Sequence, residues 1–331
     1  MLKSTERALS AEYDLAMLDL DGVVYIGGHA VPRAPESIAA ARQEQMKVAF
    51  VTNNAARPPA VVAEHLRDLG IEASPDDVVN SAQAAAAVLR ERFGTGARIA
   101  ALGAVGLTEA LEDAGLVPVA VDEPAEAAAT GYGPDVVWRD LMRLATRIRE
   151  GLPWVASNTD GSIPTAYGVA PGHGVLVEMI ARFADVTPTV AGKPAPPLLQ
   201  ETIRRVGGGR PLMVGDRLDT DIAGGTAVGV DTLLVMTGVT GLDELAQATP
   251  DLRPTYIAAD LGGLLAPQPA VEVVDGRCRL GGWVVAVPDG AVAIDGAGAV
   301  DDWWRAVAAV SWWWADAIGS AADVSRLTPP R

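Results

Sequence analysis

The sequence has few of the residues on which several classes of function depend. Among its 331 residues there is one cysteine, Cys278, so an intramolecular disulfide is excluded and a reducing compartment is expected. The three histidines are far apart in the sequence, which argues against a zinc site. Lysine and arginine number 26 against 42 acidic residues, giving a formal charge of −16 without any basic stripe. Nucleic acid is therefore not expected as a partner.

Long apolar runs are also missing. No stretch approaches the ~18 consecutive apolar residues that indicate a transmembrane helix. Residues 1–14 carry scattered charges and no apolar segment of a secretory signal. We therefore expect no membrane span and a cytoplasmic protein. Hydrophobic residues still make up 49% of the chain, enough for folded cores, and its length exceeds one typical domain of ~100–150 residues.

Short apolar runs alternate with helical patterns along most of the chain. Continuous apolar runs indicate strands that are covered on both faces, and their alternation with helices predicts a parallel sheet in an α/β fold. The predicted strands are 15–20, 47–52, 98–102, 153–157, 212–214 and 232–236. The predicted helices include 59–69, 82–93, 138–150, 175–183 and 196–206. Ligands of such sheets bind beyond the carboxyl ends of the strands.

The pattern changes near Ala266, where Ala266-Pro267-Gln268-Pro269 is typical of a linker. Hairpin-like segments follow at 271–274, 278–287 and 291–294, and then a helix is predicted over 301–318. Six of the 8 tryptophans lie in this region, and five of them are on the predicted helix, on more than one of its faces. This distribution indicates a small α+β subdomain that packs against itself or against the core.

Two carboxylates lie at the end of the first predicted strand. Asp19 and Asp21 are separated by one residue, so their side chains point the same way if the strand continues through them. Gly22 then permits a tight turn. Taken alone, a polar loop after a strand explains this pattern equally well.

Three further segments place polar groups at the same predicted edge. Thr52, Asn53 and Asn54 follow the second strand, Lys193 precedes a helix that begins with proline, and an acidic loop spans Gly215–Asp221. Each has a structural explanation by itself, since Asp216 and Asp221 could be a helix cap and a first-turn acid. Together, carboxylates, a hydroxyl and one cation are the groups that phosphoryl transfer requires.

These segments, in this order, resemble the phosphatases of the haloacid dehalogenase superfamily. The similarity is closer to the NagD-like branch (capped class IIA), which has counterparts of Phe50–Asn54, Ala156–Asp160, Pro171–Gly174 and Gly215–Asp221. It covers residues 13–261, and the whole chain, tail included, is similar to actinobacterial glycerol-3-phosphate phosphatases. One departure is Ala55-Ala56, where relatives often have hydroxyl residues.

The resemblance implies a Rossmann-like parallel-sheet core with an inserted α/β cap domain and a small C-terminal α+β appendage. The expected segments are core 1–80, cap 81–185, core 186–265 and a tryptophan-rich subdomain 270–331. The NagD-like relatives commonly dimerise through the cap, which leaves a homodimer open for this chain.

The resemblance also implies the roles of individual residues. Asp19 is the expected nucleophile and Asp21 the expected acid and base, with Thr52 and Lys193 as further catalytic groups. Mg²⁺ is the expected cofactor, held by Asp19, Asp216 and the backbone carbonyl of Asp21, with Asp221 in a supporting role. The expected substrate-binding residues are Gly22, Asn53, Asn54, Asn158 and Asp160.

The expected reaction is hydrolysis of a small phosphate monoester through an aspartyl-phosphate, with glycerol 3-phosphate as the first substrate. Phosphoglycolate, pyridoxal phosphate and non-catalytic binding of a phosphometabolite stay as alternatives. Dehalogenation is disfavoured, because the dehalogenases of the superfamily lack the second aspartate. A phosphate dianion repels a carboxylate nucleophile by about 4 kcal/mol per charge pair at 4 Å and an effective dielectric of ~20, so the metal and Lys193 are needed to offset this.

Overall fold

The computed structural model describes residues 2–165 and 167–330, and the chain divides into two units. The first unit contains the chain up to Ala49, Leu69–Ile71 and everything from Gly207 onwards. The second contains Phe50–Asp68 and Glu72–Val206. The four predicted segments form a different division, and their boundaries stay a prediction.

Four parallel strands of the first unit lie side by side in one sheet. They are Leu15–Asp19, Pro211–Gly215, Asp231–Val235 and Tyr256–Ala258, each paired with the next in this order. Most of their residues are completely buried, as continuous apolar runs require. Because the strands are parallel, their carboxyl ends share one edge, which Asp19 and Asp216 reach together.

Short elements complete this part of the first unit. Helices run over Leu9–Glu12, Ala34–Gln43, Ala223–Ala227 and Leu242–Ala246. A small hairpin pairs Tyr25–Ile26 with His29–Ala30, and a π-helical turn covers Leu218–Ile222. Tighter helical turns lie at Pro250–Leu252 and Leu261–Leu265.

The C-terminal region is a four-stranded antiparallel sheet with one long helix. Its strands are Val273–Val274, Arg277–Leu280, Trp283–Ala286 and Ala293–Gly296, paired in sequence order. The segment predicted as one piece at 278–287 is divided by a turn at Gly281-Gly282. The helix spans Val300–Ile318 and confirms the predicted one to within a residue.

The tail and the sheet of the first unit share one hydrophobic core. Trp303, Trp304 and Trp312 of the long helix belong to the same buried cluster as Leu245 and Ile257. The residues expected to be a linker are also held in place. The backbone of Gln268 exchanges hydrogen bonds with Thr5, and its side-chain Oε1 accepts one from Arg305. The tail is therefore an integral part of the first unit.

The second unit contains a five-stranded parallel sheet. The strand order is Thr189–Val190, Trp154–Ala156, Ala127–Thr130, Arg98–Leu102 and Val117–Val119. Its helices are Pro59–Asp68, Ser81–Phe93, Val105–Asp113, Trp138–Arg149, His173–Ala184 and Pro197–Val206. A hairpin pairs Ser162–Thr165 with Gly168–Pro171, and the end of strand Lys47–Thr52 pairs with Val78–Asn80.

Local sequence explains where these helices begin and what they bury. Asn80 accepts a hydrogen bond from the backbone N–H of Gln83, whose side chain accepts one from the Asn80 N–H, so a capping box starts helix Ser81–Phe93. In Trp138–Arg149 the buried residues are Leu141, Leu144, Ala145 and Ile148, the spacing of one helix face. Among the described residues, no helix combines the length and apolar character needed to cross a bilayer.

Candidate active site

Three carboxylates meet at the carboxyl edge of the first unit's sheet. Asp19 ends its strand, Asp216 directly follows Pro211–Gly215, and Asp221 lies in the π-helical turn. One oxygen from each lies within 4.8 Å of the others. Asp216 and Asp221 are completely buried, and Asp19 is half-buried. Like charges this close in a buried site are unfavourable without a compensating cation, so the group favours a metal.

Backbone amides fix the orientation of the two buried carboxylates. Val239 donates its N–H to Asp216 Oδ2 at 2.6 Å, and Thr240 donates to the Asp216 carbonyl at 3.1 Å. Arg217 donates its backbone N–H to Asp221 Oδ2 at 3.1 Å. These bonds hold each carboxylate in one direction, which preorganises it as a ligand.

Glycines let the backbone approach these carboxylates closely. A Cβ on Gly22, whose φ is +85°, would lie 2.5 Å from Asp216 Oδ2. A Cβ on Gly238 would be closer still to the same oxygen, and one on Gly215 would collide with Asp221. Any side chain there would displace a carboxylate. Three clustered carboxylates, two of them oriented by backbone amides, fit Mg²⁺, which takes oxygen ligands at 2.0–2.1 Å and keeps several waters.

Asp21 and Asp221 differ in their relation to the group of three carboxylates. Asp21 is exposed, in a turn where the N–H groups of Val24 and Tyr25 donate to the Leu20 carbonyl, and its carboxylate is outside the group of three. Asp221, expected only in a supporting role, contributes an oxygen to that group. The π-helical turn brings Asp221 back towards Asp216, and such turns are frequent at functional sites.

The other predicted residues lie in the second unit. Thr52 is buried at the end of its strand, and its Oγ1 accepts a hydrogen bond from the Asn54 N–H at 3.1 Å. Asn54 Oδ1 accepts one from the Ala56 N–H at 2.9 Å. Lys193 is only 2% exposed, which is unusual for a lysine and requires compensating negative charge.

Asn53 connects most of these residues. Its Nδ2 donates to Asp160 Oδ1 at 2.9 Å and to the Lys193 carbonyl at 3.0 Å, and its Oδ1 accepts from the Lys193 N–H at 2.8 Å. Asn158 Nδ2 donates to the Asn53 carbonyl at 2.7 Å. Four predicted residues from distant parts of the sequence are therefore joined directly.

Two residues of this network carried little or no sequence signal. Ser81 Oγ also donates to the Asn53 carbonyl, yet Ser81 looks like an ordinary first residue of a helix. His173 is buried, and its Nδ1 lies 2.9 Å from the Asn158 carbonyl. Burial lowers the pKa of His173 to about 4, although the bond to Asn158 opposes this shift. At neutral pH the ring is therefore uncharged, and Nδ1–H donates to the carbonyl.

The sequence matches two family models. Residues 16–117 match the haloacid dehalogenase-like hydrolase model, and residues 190–264 match the HAD-hydrolase-like model. The D-glycerol 3-phosphate phosphatase of Mycobacterium tuberculosis is 38% identical over 305 residues, covering 89% of this chain and 82% of the relative. The acid sugar phosphatase of Staphylococcus aureus is 34% identical over 257 residues, covering 77% and 98%.

Solved structures agree with the sequence matches. The glycerol phosphate phosphatase of M. tuberculosis in complex with magnesium superposes with a TM-score of 0.82 at 37% identity, covering 93% of this chain and 92% of that one. Its calcium complex gives a TM-score of 0.83 at 36% identity, covering 98% and 94%. These similarities, spread over nearly the whole length, show that the chain belongs to the haloacid dehalogenase-like hydrolase family.

Proposed function

We propose that this chain is a Mg²⁺-dependent phosphatase of small phosphate monoesters, with glycerol 3-phosphate as its first substrate. The observation that carries the proposal is the group of Asp19, Asp216 and Asp221 at the sheet edge. The substrate is supported by the name of the mycobacterial relative, which matches most of this chain. The metal is supported by the magnesium complex of the mycobacterial structure.

The carboxylate group and the loop around Asp21 define where Mg²⁺ would bind. Asp19, Asp216 and the backbone carbonyl of Asp21 would hold the ion, and Asp221 would orient the site or add a further oxygen. When bound, the ion supplies positive charge that offsets the repulsion between a phosphate dianion and the carboxylates.

Asp19 is proposed as the nucleophile. Its carboxylate oxygen forms a bond to phosphorus while the bond from phosphorus to the ester oxygen breaks, and Asp21 gives a proton to the leaving alcohol. Asp21 then takes a proton from water, whose oxygen attacks phosphorus and displaces the Asp19 carboxylate. Phosphate leaves and both aspartates are restored. Asp21 is exposed, so its carboxyl group is accessible to a leaving alcohol and to water.

The remaining residues would bind and neutralise the substrate. Thr52, Lys193 and the backbone N–H groups of Gly22 and Asn53 are proposed to stabilise the phosphoryl oxygens. Asn54 is proposed to contribute to the substrate pocket, and Asn158 and Asp160 are proposed to lie beside it. Residues 81–185 are proposed as the cap domain that selects the leaving group. The proposed location of the protein is the cytoplasm.

The test is phosphate release by the purified full chain. A panel of glycerol 3-phosphate, phosphoglycolate, pyridoxal phosphate and sugar phosphates is ranked by kcat/KM with Mg²⁺ present. We expect glycerol 3-phosphate to rank first and EDTA to abolish release. A higher kcat/KM for another ester would contradict glycerol 3-phosphate as the first substrate. Activity that survives chelation would contradict the dependence on Mg²⁺. Release from no ester would leave phosphometabolite binding as the function.

The nucleophile is tested separately. Asp19→Asn should remove turnover while the circular dichroism spectrum and melting temperature stay close to those of the parent protein. Retained turnover in this variant would show that a different group attacks phosphorus.

A further inference from the structure

We propose that Asn53, Asn158 and Asp160 act as positioning residues that fix the backbone of Lys193, and that their side chains are not substrate ligands. This inference rests on the proposed function, in which Lys193 neutralises the phosphoryl group. It revises the role expected for the three side chains and adds a role for His173.

The hydrogen-bonding capacity of the Asn53 side chain is used within the protein. An amide has two N–H donors, and Asn53 gives one to Asp160 Oδ1 and one to the Lys193 carbonyl. A phosphate oxygen, which needs a donor, could bind this side chain only by displacing one of these acceptors. The Asn53 carbonyl accepts from both Asn158 Nδ2 and Ser81 Oγ, which accounts for its two lone pairs.

The contact with Lys193 is bidentate. Asn53 accepts from the N–H of Lys193 at 2.8 Å and donates to its carbonyl at 3.0 Å, so the peptide groups on both sides of the Lys193 Cα are held. The preceding residue allows this approach. A Cβ on Gly192 would lie 2.6 Å from Asn53 Oδ1 and 2.7 Å from the Ser157 carbonyl. With its backbone fixed and its side chain buried, Lys193 holds its ammonium group within a narrow region.

Asn158 and Asp160 hold Asn53 in turn. Asn158 Oδ1 accepts from the Asp160 N–H two residues later, an Asx turn that directs the Asp160 carboxylate towards Asn53. The neutral His173 ring donates Nδ1–H to the Asn158 carbonyl and anchors the start of the turn. His173 therefore holds Asn158, and Asn158 holds Asp160. Asn158 and Asp160 each bond to Asn53.

The role predicts a separation between kcat and KM. Misplacement of a catalytic group by ~1 Å can cost ~10²-fold in rate, because transition-state charge is stabilised only by donors and cations in the correct place. Asn53→Ala should therefore lower kcat by about 10²-fold, with KM changed by less than about threefold. If Asn53 bound substrate directly through its side chain, KM would rise while kcat was largely kept.

Asp160 provides the sharper comparison. Asp160→Asn keeps an oxygen that can accept from Asn53 Nδ2, whereas Asp160→Ala does not. We expect Asp160→Asn to keep kcat within about threefold of the parent value and Asp160→Ala to lose at least about tenfold. Equal loss in both variants would show that activity requires the charge of Asp160 and not its hydrogen bond to Asn53, and it would overturn the proposal. Asp135→Ala, at an exposed aspartate of the same unit, is the matched control and should behave as the parent protein.

Hydrogen exchange gives a readout that does not depend on activity. The Lys193 amide donates to Asn53 Oδ1, so peptides containing it should exchange slowly in the parent protein and in Asp160→Asn. They should exchange at least about tenfold faster in Asn53→Ala and Asp160→Ala. Unchanged exchange in Asn53→Ala would overturn the positioning role even if the enzyme is active. Protection that follows this pattern in a protein without phosphatase activity would refute only the proposed function.

Discussion

Replacement of Trp303 tests whether the tail is part of the core. Trp303 is 2% exposed, and its ring packs edge-to-face on Trp304 with 4.9 Å between the ring centroids. The same hydrophobic cluster contains Leu218 and Ile222 of the turn that carries Asp221. Trp303→Ala would therefore leave a cavity in the cluster to which the apolar residues of that turn belong.

The size of the effect follows from burial. Replacement of a buried tryptophan by alanine costs about 3–5 kcal/mol, the sum of lost transfer free energy and the cavity term. For a unit of this size, 1 kcal/mol corresponds to about 2–4 °C in melting temperature, so the first unit should melt about 6–20 °C lower. Surface substitutions usually stay within ~0.5 kcal/mol.

The assay is calorimetry of the full chain, with Trp138→Ala as a matched control. Trp138 is 60% exposed on helix Trp138–Arg149, so the same chemical change should move the melting temperature by no more than about 2 °C. The Mg²⁺ concentration for half-maximal activity should also rise in Trp303→Ala, because Leu218 and Ile222 belong to the hydrophobic cluster that the substitution disrupts. If Trp303→Ala and Trp138→Ala lowered the melting temperature equally, the conclusion that the tail is an integral part of the first unit would be refuted.

Two further predictions concern the carboxylate cradle and the buried histidine. Gly238→Ala should raise the Mg²⁺ concentration for half-maximal activity at least about tenfold, because the new Cβ would collide with Asp216. Gly241→Ala is the control, since its Cβ would meet open space and should leave this concentration unchanged. Titration of activity with Mg²⁺ compares the two variants. The pKa of His173 is lowered to about 4 in the folded protein, so folding favours the neutral ring. The free energy of unfolding should therefore be highest above pH 6.5, the ordinary pKa of histidine, and should decrease as the pH falls towards 4. In denaturant unfolding, the free energy of unfolding should fall by an amount on the order of 3 kcal/mol between pH 7 and pH 4 because of His173. This fall should be absent in His173→Gln and present in His29→Gln, which changes an exposed histidine.

Strand ends were the most predictable part of the site. A run such as Leu15–Asp19 is apolar because both sheet faces are covered, so its last residue can be located from the sequence. Parallel pairing then requires neighbouring ends to share an edge, and the residues after Pro211–Gly215 reach the edge that Asp19 reaches. The family resemblance predicted that Asp19 and Asp216 serve one site, and the parallel pairing of their strands is consistent with it.

Other elements could not be predicted because the secondary structure that their residues intrinsically favour differs from the one that they adopt. The strand Ala127–Thr130 has the sequence Ala-Ala-Ala-Thr, and alanine favours helix. All four residues are buried between neighbouring strands, so tertiary packing overrides the intrinsic preference. Asp221 was expected at the site, but the direction of its side chain could not be predicted, for a related reason. The π-helical turn changes the direction of a side chain, and period-based reasoning assumes regular helices or strands.

The tail shows the limit of sequence periodicity most clearly. The tryptophan pattern predicted the helix and its need for packing partners, but a pattern within one segment contains no information about which distant residues cover it. The partners are Leu245 and Ile257, more than forty residues earlier, and the polar contacts of Arg305 reach the Ile257 carbonyl and Gln268. Buried polar contacts of this kind are costly to break, because each unsatisfied partner keeps its full desolvation penalty. The long helix therefore stabilises the last strand of the sheet, and its removal would expose the apolar cluster that also supports the turn carrying Asp221.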